Sequence, residues 1–449
     1  MNKNIVILGS GESGTGAAIL AKQKGFDVFV SDKGKIAEKF KKELETIHVS
    51  YEEGAHDENR ILSADEIIKS PGIPEKNEFI QKVRSKNIPV ISEIEFAARY
   101  TNAFKIGITG TNGKTTTTSL VYHLMKKAGL NVACGGNIGT SFARLVAEKQ
   151  YDYFVLELSS FQLDDMYDFK AEIGILTNIT PDHLDRYNYD LQNYIHSKFR
   201  LLQNQTANDI FIYCADDELT TQYLTQVNVK AQQFPFSIKH QLPLGAWQQG
   251  DQFYVSTSSQ NSSNPFHMYL NELSLRGKHN AYNSMAAAIV GQALSIRKEV
   301  IRESLMDFEN AEHRLEHVAS VQGIEFINDS KATNVNSAWY ALESMEKPVI
   351  WIAGGVDKGN DYSMLKSLVK DKVRIIVCLG IDNRKIHEAF QRDVEMIVNT
   401  TSASEAVHVA YKLAKRDEAV LLSPACASFD LFENYEDRGR QFKKAVREL

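Results

Sequence analysis

Lys105-Ile106-Gly107-Ile108-Thr109-Gly110-Thr111-Asn112-Gly113-Lys114-Thr115-Thr116 is the stretch on which the fold turns. Lys105–Ile108 reads as a short strand. Beyond Thr116, residues Leu120, Val121, Leu124, Met125 and Ala128 fall on one helical face. Strand, glycine-bearing loop and helix, in that order, make a phosphate-binding turn. Gly110 and Gly113 let the backbone curl until amide N–H groups face phosphate oxygens. Lys114 brings positive charge to the outer phosphates and the Thr115 hydroxyl suits Mg²⁺, with Thr111, Asn112 and Thr116 in the same loop. Ile108 stands where the strict pattern has its first glycine, so TGTNGKTT is a variant. The segment is read as binding a nucleotide.

Downstream, strands are expected at Tyr153–Leu156, Ile173–Thr177 and Ile210–Tyr213. Glu157 ends the first of these, where a carboxylate can reach a metal near the phosphate loop. Thr177 and Asn178 end the second, and Asp182-His183-Leu184-Asp185 follows. Alone, His183 reads as a polar turn residue. Beside Glu157 and the phosphate loop it becomes a candidate ligand for Mg²⁺ or Mn²⁺, hard cations that oxygen-rich sites favour. Lys198 is different: a lysine there would repel a metal, and from the residues alone it reads as a solvated helix lysine. The polar run from Ser256 to Asn264 reads as a surface loop without function.

Upstream, Ile5–Leu8 is a strand, followed by Gly9-Ser10-Gly11-Glu12-Ser13-Gly14-Thr15-Gly16, a helix to about Lys24 and a strand Val28–Val30 ending at Ser31-Asp32. Gly9-x-Gly11-x-x-Gly14 with an acid about 20 residues on meets the dinucleotide fingerprint. Because the central loop already claims a nucleotide, this turn is assigned to a second phosphate-bearing substrate. Toward the C-terminus, strands at Glu325–Asn328, Val349–Ala353, Arg374–Leu379, Met396–Val398 and Ala419–Leu422 alternate with helical stretches, predicting a mostly parallel sheet. Asp329-Ser330-Lys331-Ala332-Thr333-Asn334 and Gly354-Gly355-Val356-Asp357-Lys358-Gly359 end two of these strands, and their lysines suggest an anion site. Arg314 reads either as a salt-bridge residue or as a phosphate contact.

The fold class is therefore α/β in three domains: a Rossmann-like N-terminal domain (1–98), a central P-loop-type mononucleotide-binding domain (99–310) and a Rossmann-like C-terminal domain (311–449). The 51 Lys and Arg against 57 Asp and Glu, a net charge of -6, argue against general capture of nucleic acid. The four cysteines form no CxxC, which favours reduced thiols over a disulfide framework or structural zinc. No apolar run approaches the ~20 residues of a membrane span, and the N-terminal one is too short for a signal peptide. A cytoplasmic protein is expected.

The motifs ILGSGESGTG, KSPGIP, ITGTNGKTTT, GGNIG, LELSSFQLD, TNITPDHLDRY, GKHNAYN, EHRLE, NDSKATN, AGGVDKG and LLSPACASFDLFENYEDRG together resemble the Mur ligase family. The resemblance covers all three segments, and the last motif points to the D-glutamate-adding branch. It implies an ATP-dependent carboxylate–amine ligase, expected to be monomeric, that joins D-glutamate to UDP-N-acetylmuramoyl-L-alanine through an acyl phosphate, a step of peptidoglycan precursor synthesis. Residue by residue, it places Gly110–Thr116, Asn283, Arg314 and Asp329 on ATP. Thr115, Glu157, His183 and a carbamate of Lys198 would lie on two Mg²⁺ ions, with Lys114, Glu157, His183 and Lys198 catalytic. Ser10, Gly11, Ser13, Gly14, Thr15, Asp32, Lys33, Gly72 and Asn137 would hold the UDP substrate; Lys331, Thr333, Lys358, Ser428 and Tyr435 would hold D-glutamate. Family members often carry Phe at the Tyr435 position. A carbamate would turn the Lys198 cation into an anion and remove its conflict with metal. Other readings are another Mur-type or folylpolyglutamate-type ligase, a nicotinamide-dependent dehydrogenase, which leaves TGTNGKTT unexplained, and a silent nucleotide sensor.

Overall fold

The computed structural model describes residues 3–258, 265–275, 277–309 and 312–449, whose strands form three sheets. The first is all parallel: β1 (Asn4–Leu8), β2 (Asp27–Asp32), β3 (Ser50–Glu53), β4 (Glu66–Lys69) and β5 (Val90–Ile91), in the order β3-β2-β1-β4-β5. The order reverses at β1. A ligand crevice forms at such a switch point beyond the strands' carboxyl ends, and Gly9 and Ser70 lie there.

The second sheet holds β6 (Phe104–Thr109), β7 (Val132–Gly136), β8 (Tyr153–Glu157), β9 (Ile173–Leu176), β10 (Ile210–Cys214), β11 (Gln232–Ser237), β12 (Gly245–Gln249), β13 (Gln252–Ser256) and β14 (Phe266–Tyr269). Its order is β14-β13-β12-β11-β10-β9-β6-β8-β7, parallel except for the β12–β13–β14 meander. β6 sits between β8 and β9, so the phosphate loop opens between the ends of the strands carrying Glu157 and Thr177. The run expected to be a loop begins inside β13, which keeps Ser256; residues 259–264 and Ala311 lie outside the described residues.

The third sheet contains β15 (Glu316–Val321), β16 (Ile324–Asn328), β17 (Val349–Ala353), β18 (Val373–Leu379), β19 (Met396–Thr400) and β20 (Ala419–Leu422), ordered β15-β16-β20-β17-β18-β19. Only β15 is antiparallel, so the expected mostly parallel sheet is present.

The chain divides into two compact units, residues 1–274 with 281–308, and residues 275–280 with 309–449. Within the first, one apolar core runs from Ile5 and Ile7 of β1 through Ala17 and Leu20 to Phe142, Phe154 and Leu156. Burying one such large apolar side chain contributes about 1.5–3 kcal/mol. Gly16 is essential to this packing: a Cβ there would lie 2.0 Å from Ser141 Oγ, so only glycine lets the helix Glu12–Gln23 approach the helix Phe142–Glu148 this closely. The second unit has its own core on both faces of its sheet, with Phe326, Ile352 and Leu422 on one side and Trp351, Ile376 and Leu421 on the other.

Candidate active site

The phosphate loop is held open by two glycines. Gly113 (φ +82°) caps the helix Lys114–Lys127, and Gly110 (φ +144°) lies so near β9 that a Cβ would stand 1.9 Å from Thr177 Oγ1. The neighbouring strand end fixes the loop: Thr111 N donates to Asn178 O at 2.8 Å, Asn112 N donates to Asn178 Oδ1 at 3.0 Å, and Thr177 Oγ1 donates to Asn112 O at 2.6 Å. Thr111 Oγ1 pairs with the Tyr194 hydroxyl at 3.0 Å, and Thr116 is buried in the first helical turn. Asn283 packs against the loop from below, accepting from Thr117 Oγ1 at 3.1 Å.

Glu157 is the hub of the first unit's polar centre. Its carboxylate accepts from Thr115 Oγ1 at 2.7 Å and from Asn137 Nδ2 at 2.9 Å, while the Asn137 amide donates to the Glu157 carbonyl at 2.8 Å. A buried carboxylate beside a threonine hydroxyl offers the hard oxygen ligands that Mg²⁺ takes. His183, at φ +53°, caps a short 3₁₀ turn, with its ring edge-on to Phe161 at 5.3 Å and near Asp182.

Lys198 overturns the solvated reading. It is 2 % exposed, its Nζ donates to Gly110 O at 2.8 Å, and it lies 4.5 Å over the Tyr194 ring. Lys114 donates to the same Gly110 carbonyl, also at 2.8 Å. Burial first, and then the like charge of Lys114, hold the Lys198 amine well below the ordinary lysine range. In its helix, Leu191–Phe199, position 198 follows Ile195 and Tyr194 by three and four residues and so shares their buried face; packing against the phosphate loop then covers it.

At the N-terminal turn Gly14 is indispensable, because a Cβ would stand 1.9 Å from Gly9 O. Asp32 is already engaged: it accepts from Ser10 N (2.8 Å), Ser10 Oγ (2.7 Å) and Gly34 N (2.8 Å). Burial pushes its acidity toward the neutral form, but these hydrogen bonds outweigh burial and leave its pKa lowered. Thr15 Oγ1 is likewise turned inward, donating to Ser10 O at 3.1 Å, so Ser10 and Thr15 brace the turn with their side chains. Gly11, Lys33, Gly72 and Asn137 are exposed and Ser13 is half-buried.

In the second unit Asp329 is buried after β16, accepting from Ser423 Oγ at 2.8 Å and from the Leu315 amide at 3.3 Å. Burial pushes its carboxyl up to about 7 against the opposing pull of Ser423, Arg314 and Arg438. Lys331 lies 5.3 Å over the Tyr435 ring, with Thr333 two residues on. Lys358 is exposed and Ser428 buried; their loops are joined by Val356 N to Ala427 O at 2.8 Å and Ala427 N to Val356 O at 3.2 Å.

Three family models cover most of the chain: Mur ligase MurD-like, N-terminal domain (residues 3–92), Mur ligase middle domain (108–291) and Mur ligase, glutamate ligase domain (313–426). The chain belongs to the Mur ligase family. Among similar family members, a protein of Christiangramia forsetii is 57% identical over 449 residues, covering 100% of both chains, and one of Bacteroides fragilis is 55% identical over 451 residues, again covering 100% of both. Both are named UDP-N-acetylmuramoylalanine–D-glutamate ligase. The fold is shared by two solved structures aligned over 100% of both chains. They are a pseudomurein peptide ligase type C from Methanothermus fervidus (TM-score 0.63, 21% identity) and a UDP-N-acetylmuramate–alanine ligase from Thermotoga maritima (TM-score 0.64, 17% identity).

Arg438, in the motif LLSPACASFDLFENYEDRG, is a residue of this Mur ligase whose place the sequence does not reveal. It is fully buried and donates to Ser330 Oγ (3.0 Å), Ser330 O (2.9 Å), Cys426 O (3.3 Å) and Gly354 O (3.5 Å). One guanidinium thus fastens the loops after β16, β17 and β20, which carry Lys331, Lys358 and Ser428. A buried arginine facing carbonyls has no sequence signature beyond the motif itself.

Proposed function

We propose that this chain adds D-glutamate to UDP-N-acetylmuramoyl-L-alanine in an ATP-dependent reaction of peptidoglycan precursor synthesis, in the cytoplasm and as a monomer. The observation that carries the reading is identity of 57% along the whole chain with a ligase of that name. No helix among the described residues is long and apolar enough to cross a membrane. For the sequence domains we propose the boundaries 98/99 and 310/311.

In the proposed mechanism the substrate carboxylate attacks the γ-phosphoryl group of ATP, giving an acyl phosphate and ADP. The neutral D-glutamate amine then attacks the acyl carbon, phosphate leaves the tetrahedral intermediate, and the nitrogen gives up a proton to leave the amide. Thr115, Glu157, His183 and carbamylated Lys198 would hold two Mg²⁺ ions, which supply charge neutralisation as anionic groups meet. Lys114 and the Gly110–Thr116 amides would bear on the transferring phosphoryl group. Asn283, Arg314 and Asp329 would hold the adenine nucleotide. Ser10, Gly11, Ser13, Gly14, Thr15, Asp32, Lys33, Gly72 and Asn137 would seat the UDP substrate, and Lys331, Thr333, Lys358, Ser428 and Tyr435 D-glutamate. The environment of Lys198 supports its carbamylation. A lysine with so lowered a pKa presents a neutral amine, the form that adds CO₂, releasing a proton and leaving a carbamate anion.

The test offers ATP, Mg²⁺ and UDP-N-acetylmuramoyl-L-alanine with a panel of amino acids and scores phosphate release. D-glutamate is expected to be preferred. Preference for L-glutamate, lysine or diaminopimelate would replace the substrate assignment, and hydride transfer to a nicotinamide would replace the reaction class.

A further inference from the structure

The turn proposed for the UDP end of the substrate contains an electrostatic contradiction. Glu12 sits between Gly11 and Ser13, inside a glycine turn whose amides are meant for a diphosphate. A free carboxylate there would repel that anion. The structure resolves the conflict from another domain. Arg144, in the helix Phe142–Glu148, reaches across to Glu12, with Nε 2.8 Å from Oε1 and a terminal nitrogen 3.3 Å from Oε2. Its other terminal nitrogen meets Glu43 at 2.7 Å. Glu12 Oε1 also accepts from the Ser141 amide at 3.1 Å, and the Arg144 side chain is only 15% exposed.

The same contacts fix the loop between β7 and that helix, residues 137–141. Its first member, Asn137, donates to Glu157. Glu12 and Arg144 therefore join the N-terminal turn to the loop that orients the buried carboxylate of the phosphate-loop centre.

We propose that Arg144 is a positioning residue of the UDP-substrate site, which neutralises Glu12 and thereby makes the Gly9–Gly14 turn competent to hold a diphosphate. The inference rests on the reading of that turn as the UDP site. With Arg144 removed, Glu12 and Glu43 both lose their partner; adding Glu12→Gln removes the carboxylate that lies in the turn itself and leaves only that of Glu43.

The experiment measures UDP binding to the full chain by titration calorimetry, for the wild type, Arg144→Gln, Glu12→Gln and the double variant. Arg144→Gln is expected to weaken UDP about tenfold, the effect of one uncompensated like charge at several ångströms in a partly solvated site. Adding Glu12→Gln is expected to restore affinity to within about threefold of wild type, which a merely structural role of Arg144 would not allow. Arg144→Lys keeps the charge without the fork and is expected to bind within about threefold as well. Unchanged affinity in Arg144→Gln, or a double variant no better than Arg144→Gln, overturns the inference alone. Failure of the wild type to bind either UDP or UDP-N-acetylmuramoyl-L-alanine overturns the reading of the turn. Should Arg144→Gln not fold, Arg144→Lys and its pairing with Glu12→Gln decide: Arg144→Lys losing about tenfold, unrescued by Glu12→Gln, excludes neutralisation.

Discussion

Two buried side chains carry charge behaviour that no count of residues reveals. Lys198 and Lys114 donate to one carbonyl oxygen, that of Gly110, and two ammonium ions crowded there repel each other unless one gives up its proton. Lys198→Ala is expected to lower turnover by at least about a hundredfold, with partial recovery in a short carboxylic acid that restores the anion. Wild-type turnover in that variant would remove the carbamate from the mechanism. Glu93 is the second case. Its carboxylate accepts from the Ala143 amide, and burial raises its pKa from 4.5 to about 8. The folded value lies above the unfolded one, so its contribution to stability is full below about 4.5 and is lost as pH rises through about 8. Glu93→Gln, which cannot ionise, should therefore raise the thermal midpoint at pH 8.5 relative to wild type while changing it little at pH 4.5. Equal shifts at both values would argue that Glu93 stays charged in the fold. Lys198 shares a helical face with Tyr194 and Ile195, but the depth of its burial, like that of Glu93, depends on what packs over the helix from elsewhere in the chain.

Elements matter here chiefly through their ends. The loops after β16, β17 and β20 are distant in sequence and meet at Arg438, in the first turn of the helix Tyr435–Arg447. Burial lowers its pKa to about 10, leaving it charged at neutral pH and dependent on carbonyl dipoles. Arg438→Lys keeps charge but cannot span three loops. It is expected to raise KM for D-glutamate at least about tenfold, while acyl phosphate formation, followed by positional isotope exchange in ATP, stays within about threefold of wild type. Equal losses in both half-reactions would show that Arg438 supports the unit as a whole. Tyr362 and Cys426 reinforce this arrangement, with the hydroxyl 3.3 Å from Sγ and 3.1 Å from Asp357. The strand–loop–helix order of 104–127 was readable because its period changes sharply at two glycines. The antiparallel β12–β13–β14 meander was not, because Trp247, Tyr254 and Phe266 lie in short runs that compete with turn chemistry.

At the scale of the whole molecule the described residues form three sheets in two compact units, the first of which shares one apolar core between two sheets. Calorimetric unfolding is expected to resolve two transitions, with the N-terminal and central sheets melting together; Ala17→Leu, which overfills their shared core, should lower only the first-unit transition. Separate melting of those two sheets would contradict the shared core. The sequence by itself determined the α/β class, the glycine-bearing loop between β6 and its helix, the N-terminal glycine turn and the family, because each is written in contiguous residues with a local physical reason. Only the tertiary structure decided that Lys198 is buried against Gly110, that Asp32 is engaged by Ser10, and that Arg438 and Arg144 hold together loops far apart in the chain. Those are facts of proximity between distant segments, and one chain's order of residues carries no local signal for them.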